Sequence, residues 1–216
     1  MAIFLGVNGD IMRKVYQFIH TSIHNEDSGI KFGGGAFIEN EWPKNPLGED
    51  LSLLLTINND QLNKNNNFFH LPDGKFISVF STYNENRYFL DDIVFFGDDV
   101  ELDYIKSGFT RVTLSESSKL SVNNNHLACK NIKLEERKIM DNDYPAFSFL
   151  SNQIPNGMIG SEKLIKEYDF ICQLYSADIP SKDGGILGLS DAIGYLFLKK
   201  DIDDYNNAGL FFVQTA

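Results

Sequence analysis

The sequence predicts a mainly β (α+β) fold of antiparallel sheets, with an N-terminal amphipathic helix and a few short helices. Two observations predict this class. Aromatic residues make up 13% of the chain, with 18 Phe and 1 Trp, and Phe-rich, β-branched segments favour strands. Short apolar segments also recur between polar turns such as Asp73-Gly74, which is typical of antiparallel sheets. A chain of 216 residues can bury a core without disulfides, so one domain over residues 1–216 is expected.

The N-terminal segment carries apolar residues at helical spacing. They fall at i, i+4, i+7, i+8 and i+12: Ile11, Val15, Phe18, Ile19 and Ile23. This spacing predicts an amphipathic helix with one apolar face, ended by the polar turn at 25–29.

The remaining elements are predicted in chain order from apolar runs and alternation. Strands are expected at 51–57, 76–80, 88–90 with 93–96, 109–114, 132–134, 170–175, 193–198 and 210–213. A short capped helix is expected at 161–167.

Two segments match without a gap at a constant separation, which predicts an internal repeat with units at about 31–114 and 156–213. The first set is Leu53, Ile57, Asp60, Asp73, Ile77, Val79 and Phe80, and it corresponds to Ile171, Tyr175, Asp178, Asp191, Tyr195, Phe197 and Leu198. Two such pseudo-repeated β units would bury a shared face against each other.

Several of these segments carry a family resemblance. The motifs are the Lys31-Phe32-Gly33-Gly34 turn, Trp42-Pro43, Leu71-Pro72 with Gly74, Cys172-Gln173-Leu174-Tyr175-Ser176 and the closing segment 195–202. Together they resemble the YwqG-like family over most of the chain from Lys31 onward. The resemblance implies a mainly antiparallel β fold with pseudo-twofold repeats and no established reaction. Some family members look like immunity proteins beside toxin genes. Gly188-Leu189-Ser190-Asp191 departs from the family's Trp-Gly-Asp turn.

The charge balance limits the partners. Lys plus Arg is 19 and Asp plus Glu is 30, a formal net charge of −11. A field of this sign repels nucleic acid and anionic membranes and favours a basic protein partner. Segment 1–8 has no basic region or cleavage site of a signal peptide, and Cys129 and Cys172 have no CxxC spacing. A cytoplasmic location is expected.

The sequence shows no complete constellation for catalysis. His20 and His24 are four residues apart and would share one face of the predicted helix, but two histidines do not complete a zinc site. No nucleophile elbow or Cys–His arrangement is visible. No cofactor and no metal are predicted, and a binding protein is favoured over an enzyme.

Carboxylates crowd one short stretch between Leu90 and Tyr104. The candidate partner-binding residues are Asp91, Asp92, Asp98, Asp99, Glu101, Asp103 and Tyr104. Their order does not fit an EF-hand calcium loop, and a glycosidase-type carboxylate pair needs geometry to judge. A solvated acidic strand edge and a recognition face for a basic partner both stay open. In the second interpretation Tyr88, Phe89, Phe95 and Tyr104 supply apolar anchors, and Asp201, Asp203 and Asp204 extend the surface.

The resulting hypothesis is an immunity or antitoxin-type protein that binds and neutralises a toxin acting in the cytosol. The partner would be a basic toxin domain. The alternative is a small enzyme or ligand-binding protein with its site in the cleft between the two β units, lined by the glycine turns at 33–35 and 184–185.

Overall fold

The structure is a computed structural model. In the residues that it describes, there are thirteen strands and four short α-helices. These residues are 4–5, 11–20, 29–65, 70–123, 127–140, 143–149, 153–181 and 185–215. The strands are β1 Phe4–Leu5, β2 Ile11–His20, β3 Ile30–Phe32, β4 Ala36–Phe37, β5 Ser52–Asn58, β6 Phe76–Ser81, β7 Thr110–Ser115, β8 Leu120–Ser121, β9 Lys130–Met140, β10 Ser148–Phe149, β11 Tyr168–Tyr175, β12 Ile193–Lys199 and β13 Gly209–Gln214. The α-helices are α1 Asn59–Asn65, α2 Leu90–Ile93, α3 Asp99–Tyr104 and α4 Ser161–Leu164. A π-helical turn at Ile105–Phe109 follows α3, and 3-10 turns lie at Ser176–Asp178 and Tyr205–Asn207.

Ten strands form one antiparallel sheet that nearly closes on itself. Their order is β13-β12-β11-β10-β2-β9-β3-β5-β6-β7, and β1 pairs with β2 beside this path. The two end strands meet at a few points only. Ala208 N donates to Val112 O at 2.8 Å, and the Thr110 hydroxyl donates to Phe211 O at 2.6 Å. The predicted mainly β, antiparallel class is confirmed.

The predicted N-terminal helix is wrong, because residues 11–20 form strand β2. This strand pairs with β9 from Met12 opposite Met140 to His20 opposite Ile132. Ile11, Val15 and Ile19 are four residues apart, and residues at this spacing share one face of a strand as well as of a helix. Ile23 and His24 lie outside the described residues.

Most predicted strands are confirmed, and the acidic stretch is the main exception. Strands β5, β6, β7, β11, β12 and β13 match the predicted segments, and β9 is longer than the expected 132–134. The strand expected at 88–96 is wrong, because α2 occupies Leu90–Ile93. The helix expected at 161–167 is the single turn α4.

Two four-stranded runs flank the central pair β2 and β9. The first run is β3-β5-β6-β7 and the second run is β10-β11-β12-β13. Their registers coincide at a separation of 117 residues: Leu55 pairs with Val79, and Cys172 pairs with Leu196. Each run has one bulge, between Leu53 and Leu55 and between Phe170 and Cys172, at the same point of the ladder. The fourth strands coincide as well, since Arg111 lies opposite Phe80 and Leu210 lies opposite Phe197.

This register differs by one residue from the predicted gapless equivalence. The sequence alignment equated Ile77 with Tyr195, whereas the ladders equate Ile77 with Gly194. A shift of one residue moves every side chain to the other face of a strand. Ile77 lies in the main core, and Tyr195 lies in a separate cluster on the opposite face of the second run. That residue-by-residue equivalence was therefore wrong.

The core is divided between the two faces of the sheet. The inner faces of both runs share the main cluster, which contains Val79 and Leu196. The outer face of the second run packs Phe197 and Phe212 under Phe95 and Leu164. The outer face of the first run packs Leu53 and Phe80 against the segment 36–51. The residues of that segment in this cluster are Ala36, Ile38, Trp42 and Leu51. Each run thus has its own covering segment.

Candidate functional site

The structure places all seven predicted partner-binding residues on two adjacent helices. The acidic surface is defined here as Asp91 and Asp92 of α2, Asp98 at the start of α3, and Asp99, Glu101, Asp103 and Tyr104 of α3. Helices α2 and α3 contact each other, and α2 also contacts β13. Phe95 N donates to Val213 O at 3.1 Å, which ties the connection between the two helices to the sheet.

Two of the six carboxylates of this surface cap α3. Asp98 Oδ1 accepts a hydrogen bond from Val100 N at 2.8 Å. Glu101 Oε2 accepts from Asp98 N at 3.4 Å and from Phe96 N at 2.6 Å. This reciprocal pattern is a capping box, which satisfies backbone donors that a helix start leaves unpaired. Asp98 and Glu101 therefore position the acidic surface rather than offering free charge to a partner.

Asp92 is held by an ion-pair network that joins α2 to the segment covering the first run. Arg87 donates to Glu49 through Nε at 3.0 Å and Nη2 at 2.7 Å, a bidentate pair. Its Nη1 lies 2.6 Å from Asp92 Oδ2. The hydrogen bond from Arg87 lowers the pKa of Glu49 from 4.5 to about 2, and Asn45 and Asn84 assist. Glu49 belongs to the cover of the first run and Asp92 to α2, so Arg87 fixes α2 in place.

Asp99 has a partner as well. Lys163 Nζ lies 2.7 Å from Asp99 Oδ1, and this hydrogen bond lowers the pKa of Asp99. Because Lys163 belongs to α4, the pair joins α3 to the segment that precedes β11. The pair is exposed, so it adds little to stability.

Asp91 and Asp103 are exposed and form no ion pair with any described residue. Tyr104 is 47% exposed, and its ring stacks on Phe109 at a centroid distance of 5.5 Å. Val100 and Tyr88 are 64% and 66% exposed. The acidic surface therefore presents free carboxylates beside exposed apolar side chains.

Two of the four predicted anchors are wrong. Phe89 is buried in the main core, and Phe95 is buried against the outer face of the second run. Neither side chain can contact a partner. The second acidic patch does not extend the surface either. Asp203 and Asp204 precede β13 at Gly209, whereas α2 meets the far end of that strand at Val213. Asp203 pairs with Lys199 at 3.2 Å.

A large cavity of about 620 Å³ lies between the two runs. Pro72, Asp73 and Leu114 form its wall on the first run, and Phe170 and Lys199 are on the opposite wall. The predicted glycine turns do not line it among the described residues. Gly33 packs against Leu127, Gly185 is not part of the wall, and Gly184 lies outside the described residues.

A small cavity of about 290 Å³ adjoins the large one, since Leu114 and Tyr205 line both. Its walls are Arg111 and Thr113 of β7 and the segment 38–43 above them. Sequence reasoning missed Arg111. The alternation of polar and apolar residues in 109–114 predicted a half-buried strand, and its polar positions were expected to face solvent.

The remaining candidates from the sequence are the cysteines and the histidines. Cys172 is buried, and burial raises the pKa of its thiol, so the reactive thiolate is suppressed. His20 lies on β2 with its ring within hydrogen-bond distance of Asp178 O, and His24 and His126 are outside the described residues. In the described ranges no three His, Cys, Asp or Glu side chains are grouped to hold a metal ion. None of the helices seen there is long and apolar enough to span a membrane.

No model of a known protein family matches the chain, and no curated protein matches it either.

Proposed function

We propose that the chain is an immunity-type binding protein, which neutralises a basic toxin domain in the cytosol through its acidic surface. One observation carries the proposal. Asp91 lies on α2 and Asp103 on α3, and neither carboxylate is paired with a described residue. Val100 and Tyr104 are exposed on α3, and Tyr88 is exposed just before α2. Exposed aromatic side chains are common anchors of protein interfaces, and carboxylates around them accelerate association with a cationic partner.

The capping box and the Arg87 network support the same proposal. A recognition surface that is already ordered in the free protein loses less conformational entropy on binding. Asp98 and Glu101 fix α3, and Arg87 fixes α2 through Asp92. The toxin-directed part of the proposal rests on the net charge of −11 and on the resemblance to the YwqG-like family.

The test is affinity capture from the native host with three forms of the protein. The surface variant Asp91→Asn/Asp103→Asn/Tyr104→Ala removes the free charges and one anchor. The control Asp60→Asn/Glu116→Gln removes the same number of charges from exposed positions on α1 and after β7. We expect the wild type and the control to recover a basic toxin domain. With purified components, the surface variant should bind it at least about tenfold more weakly. A toxin domain held equally well by all three forms would place the interface elsewhere.

A second candidate function is supported by the large cavity. Its volume of about 620 Å³ lies within the range of small-molecule sites, about 300–1,000 Å³. Native mass spectrometry of protein purified from the host should then show a bound small molecule. The variant Ile202→Trp, which fills one wall, should lose it. Protein without any adduct, and without a rise in melting temperature on addition of host metabolite extract, would contradict this candidate.

We also infer that the two runs are pseudo-repeated units. The support is the common separation of 117 residues and the matching bulges. On this basis the second unit begins at β10, at Ser148, earlier than the boundary at 156 predicted from the sequence.

A further inference from the structure

Arg111 is a partly buried arginine without a partner. It lies on β7 and lines the small cavity, and it makes no hydrogen bond or ion pair with any described residue. A guanidinium carries five donors, and burying a charge without compensation is costly. Among the described residues, therefore, no hydrogen-bond partner compensates for the buried part of this side chain.

Thr113 is a second unsatisfied group on the same wall. It is two residues from Arg111, so both side chains project from one face of β7. Thr113 is 6% exposed, and its buried hydroxyl has no hydrogen-bond partner among the described residues. Buried hydroxyl groups are normally paired in folded proteins.

The second run shows that the fold does not require polar residues here. At the equivalent positions of β13, opposite Phe197 and Tyr195, lie Leu210 and Phe212. Both are buried in the apolar cluster on the outer face of the second run. The same ladder position therefore accepts an apolar core, and the first run keeps a cation and a hydroxyl where packing alone would favour apolar residues.

The rest of the cavity limits the charge of a ligand. Glu39 and Glu41 are exposed residues of its rim. A carboxylate suits the planar donors of Arg111, whereas two rim carboxylates repel a ligand that carries several negative charges. A ligand with one carboxylate and one ammonium group meets both conditions.

We propose that the small cavity binds a small zwitterion of the α-amino acid class, with Arg111 holding its carboxylate. The rim carboxylates of Glu39 and Glu41 favour the ammonium end. The volume of about 290 Å³ restricts the site to small ligands. Asn40 Nδ2 donates to Asn206 Oδ1 at 2.9 Å, and this bond joins the segment above the cavity to the turn beside Tyr205.

The test is calorimetric titration of the intact protein with each of the twenty free L-amino acids. The corresponding amines without the carboxylate, and inorganic phosphate, serve as comparison ligands. We expect at least one amino acid to bind, and its amine and phosphate to fail. Arg111→Gln should weaken binding at least about tenfold, since it removes a charge-assisted hydrogen bond. Arg137→Gln is the matched control, because Arg137 is an exposed arginine of β9 paired with Glu135.

A stability measurement separates binding from folding. The substitution Arg111→Gln breaks no hydrogen bond or ion pair with a described residue. In the absence of ligand, this variant should therefore unfold at the same temperature as the wild type or at a higher one. A marked fall in melting temperature would give Arg111 a structural role and overturn the proposal. Absence of binding by every amino acid, equal binding by Arg111→Gln, or equal binding of phosphate would overturn it as well. The protein-binding proposal is tested separately, since Asp91→Asn/Asp103→Asn/Tyr104→Ala leaves this cavity intact.

Discussion

The outer faces of the two runs have the same ladder but opposite chemistry. The equivalent pairs are Ser78 and Tyr195, Phe80 and Phe197, Arg111 and Leu210, and Thr113 and Phe212. The second run fills this face with stacked and edge-on aromatic rings. In the described part of the first run the hydroxyl groups of Ser78 and Thr113 have no hydrogen-bond partner, and Thr113 also lines the small cavity. Both outer faces carry an apolar cluster, but only the second run is apolar at the two positions that Arg111 and Thr113 occupy in the first run. On our proposal, these two positions of the first run serve a ligand.

The largest expected fall in the free energy of unfolding comes from truncating Phe212 in the second run. Its ring is fully buried and lies 5.1 Å from Phe95, centroid to centroid. Phe212→Ala should lower the free energy of unfolding by about 3–5 kcal/mol, because it leaves a cavity in a packed aromatic cluster. Urea unfolding at pH 7 measures this change.

The matched control for that prediction is Thr113→Ala at the equivalent position of the first run. It removes an unpaired hydroxyl and one methyl group beside an existing cavity, so its cost should stay below about 1 kcal/mol. If Phe212→Ala and Thr113→Ala lowered the free energy of unfolding by similar amounts, the proposed difference between the two runs would be wrong. These two equivalent positions would then contribute equally to the stability of the fold.

Glu49 in the cover of the first run is joined through Arg87 to Asp92 of α2, and the substitution of Glu49 has the next largest expected effect. Glu49→Gln weakens the bidentate pair with Arg87, and we expect a loss of about 1–3 kcal/mol at pH 7. The pKa of Glu49 is lowered to about 2 from 4.5. Its contribution is therefore complete above pH 4.5 and is lost as the pH falls towards 2. Urea unfolding at several pH values should show the gap between wild type and variant closing over this range.

Glu136→Gln is the control for the ion-pair prediction. Glu136 pairs with Lys14 at 2.9 Å in a more exposed position, and such pairs contribute about 0–1 kcal/mol. A gap between wild type and Glu49→Gln that widens below pH 4.5 would contradict the assigned role of Glu49.

The sequence predicted the strands of the two runs but not their faces. Alternation and Phe content locate β5, β6, β12 and β13 well, because both properties are local. The gapless alignment of the two repeat units was shifted by one residue. Inner and outer positions of the second run are both apolar, so the sequence does not show which residues face inward. The helix expected at 11–23 failed for a related reason: a spacing of four fits either element.

The acidic surface was only partly predictable. The seven residues named from the sequence lie on two adjacent helices, where a strand was expected. The Asp98-Asp99-Val100-Glu101 order already carries the signature of a capping box, which indicates a helix start rather than a strand. The small cavity could not be predicted from the sequence. Arg111 and Tyr205 meet there because β7 and the turn before β13 are brought together when the sheet nearly closes.

The smallest expected effects come from two threonines of β7, and they sharpen the comparison most directly. The Thr110 hydroxyl donates to Phe211 O at 2.6 Å, where the end strands meet, whereas the Thr113 hydroxyl has no partner. Thr110→Val should lower the free energy of unfolding by about 1 kcal/mol, because a made hydrogen bond is lost and an acceptor stays buried. Thr113→Val removes a buried polar group that had no partner, so stability should be unchanged or rise by up to about 1 kcal/mol. Melting temperatures of the two variants, measured together, decide the matter. A loss from Thr113→Val as large as that from Thr110→Val would mean that its hydroxyl is already satisfied inside the protein, and Arg111 would then be the only polar group of the β7 wall of the small cavity left without a partner among the described residues.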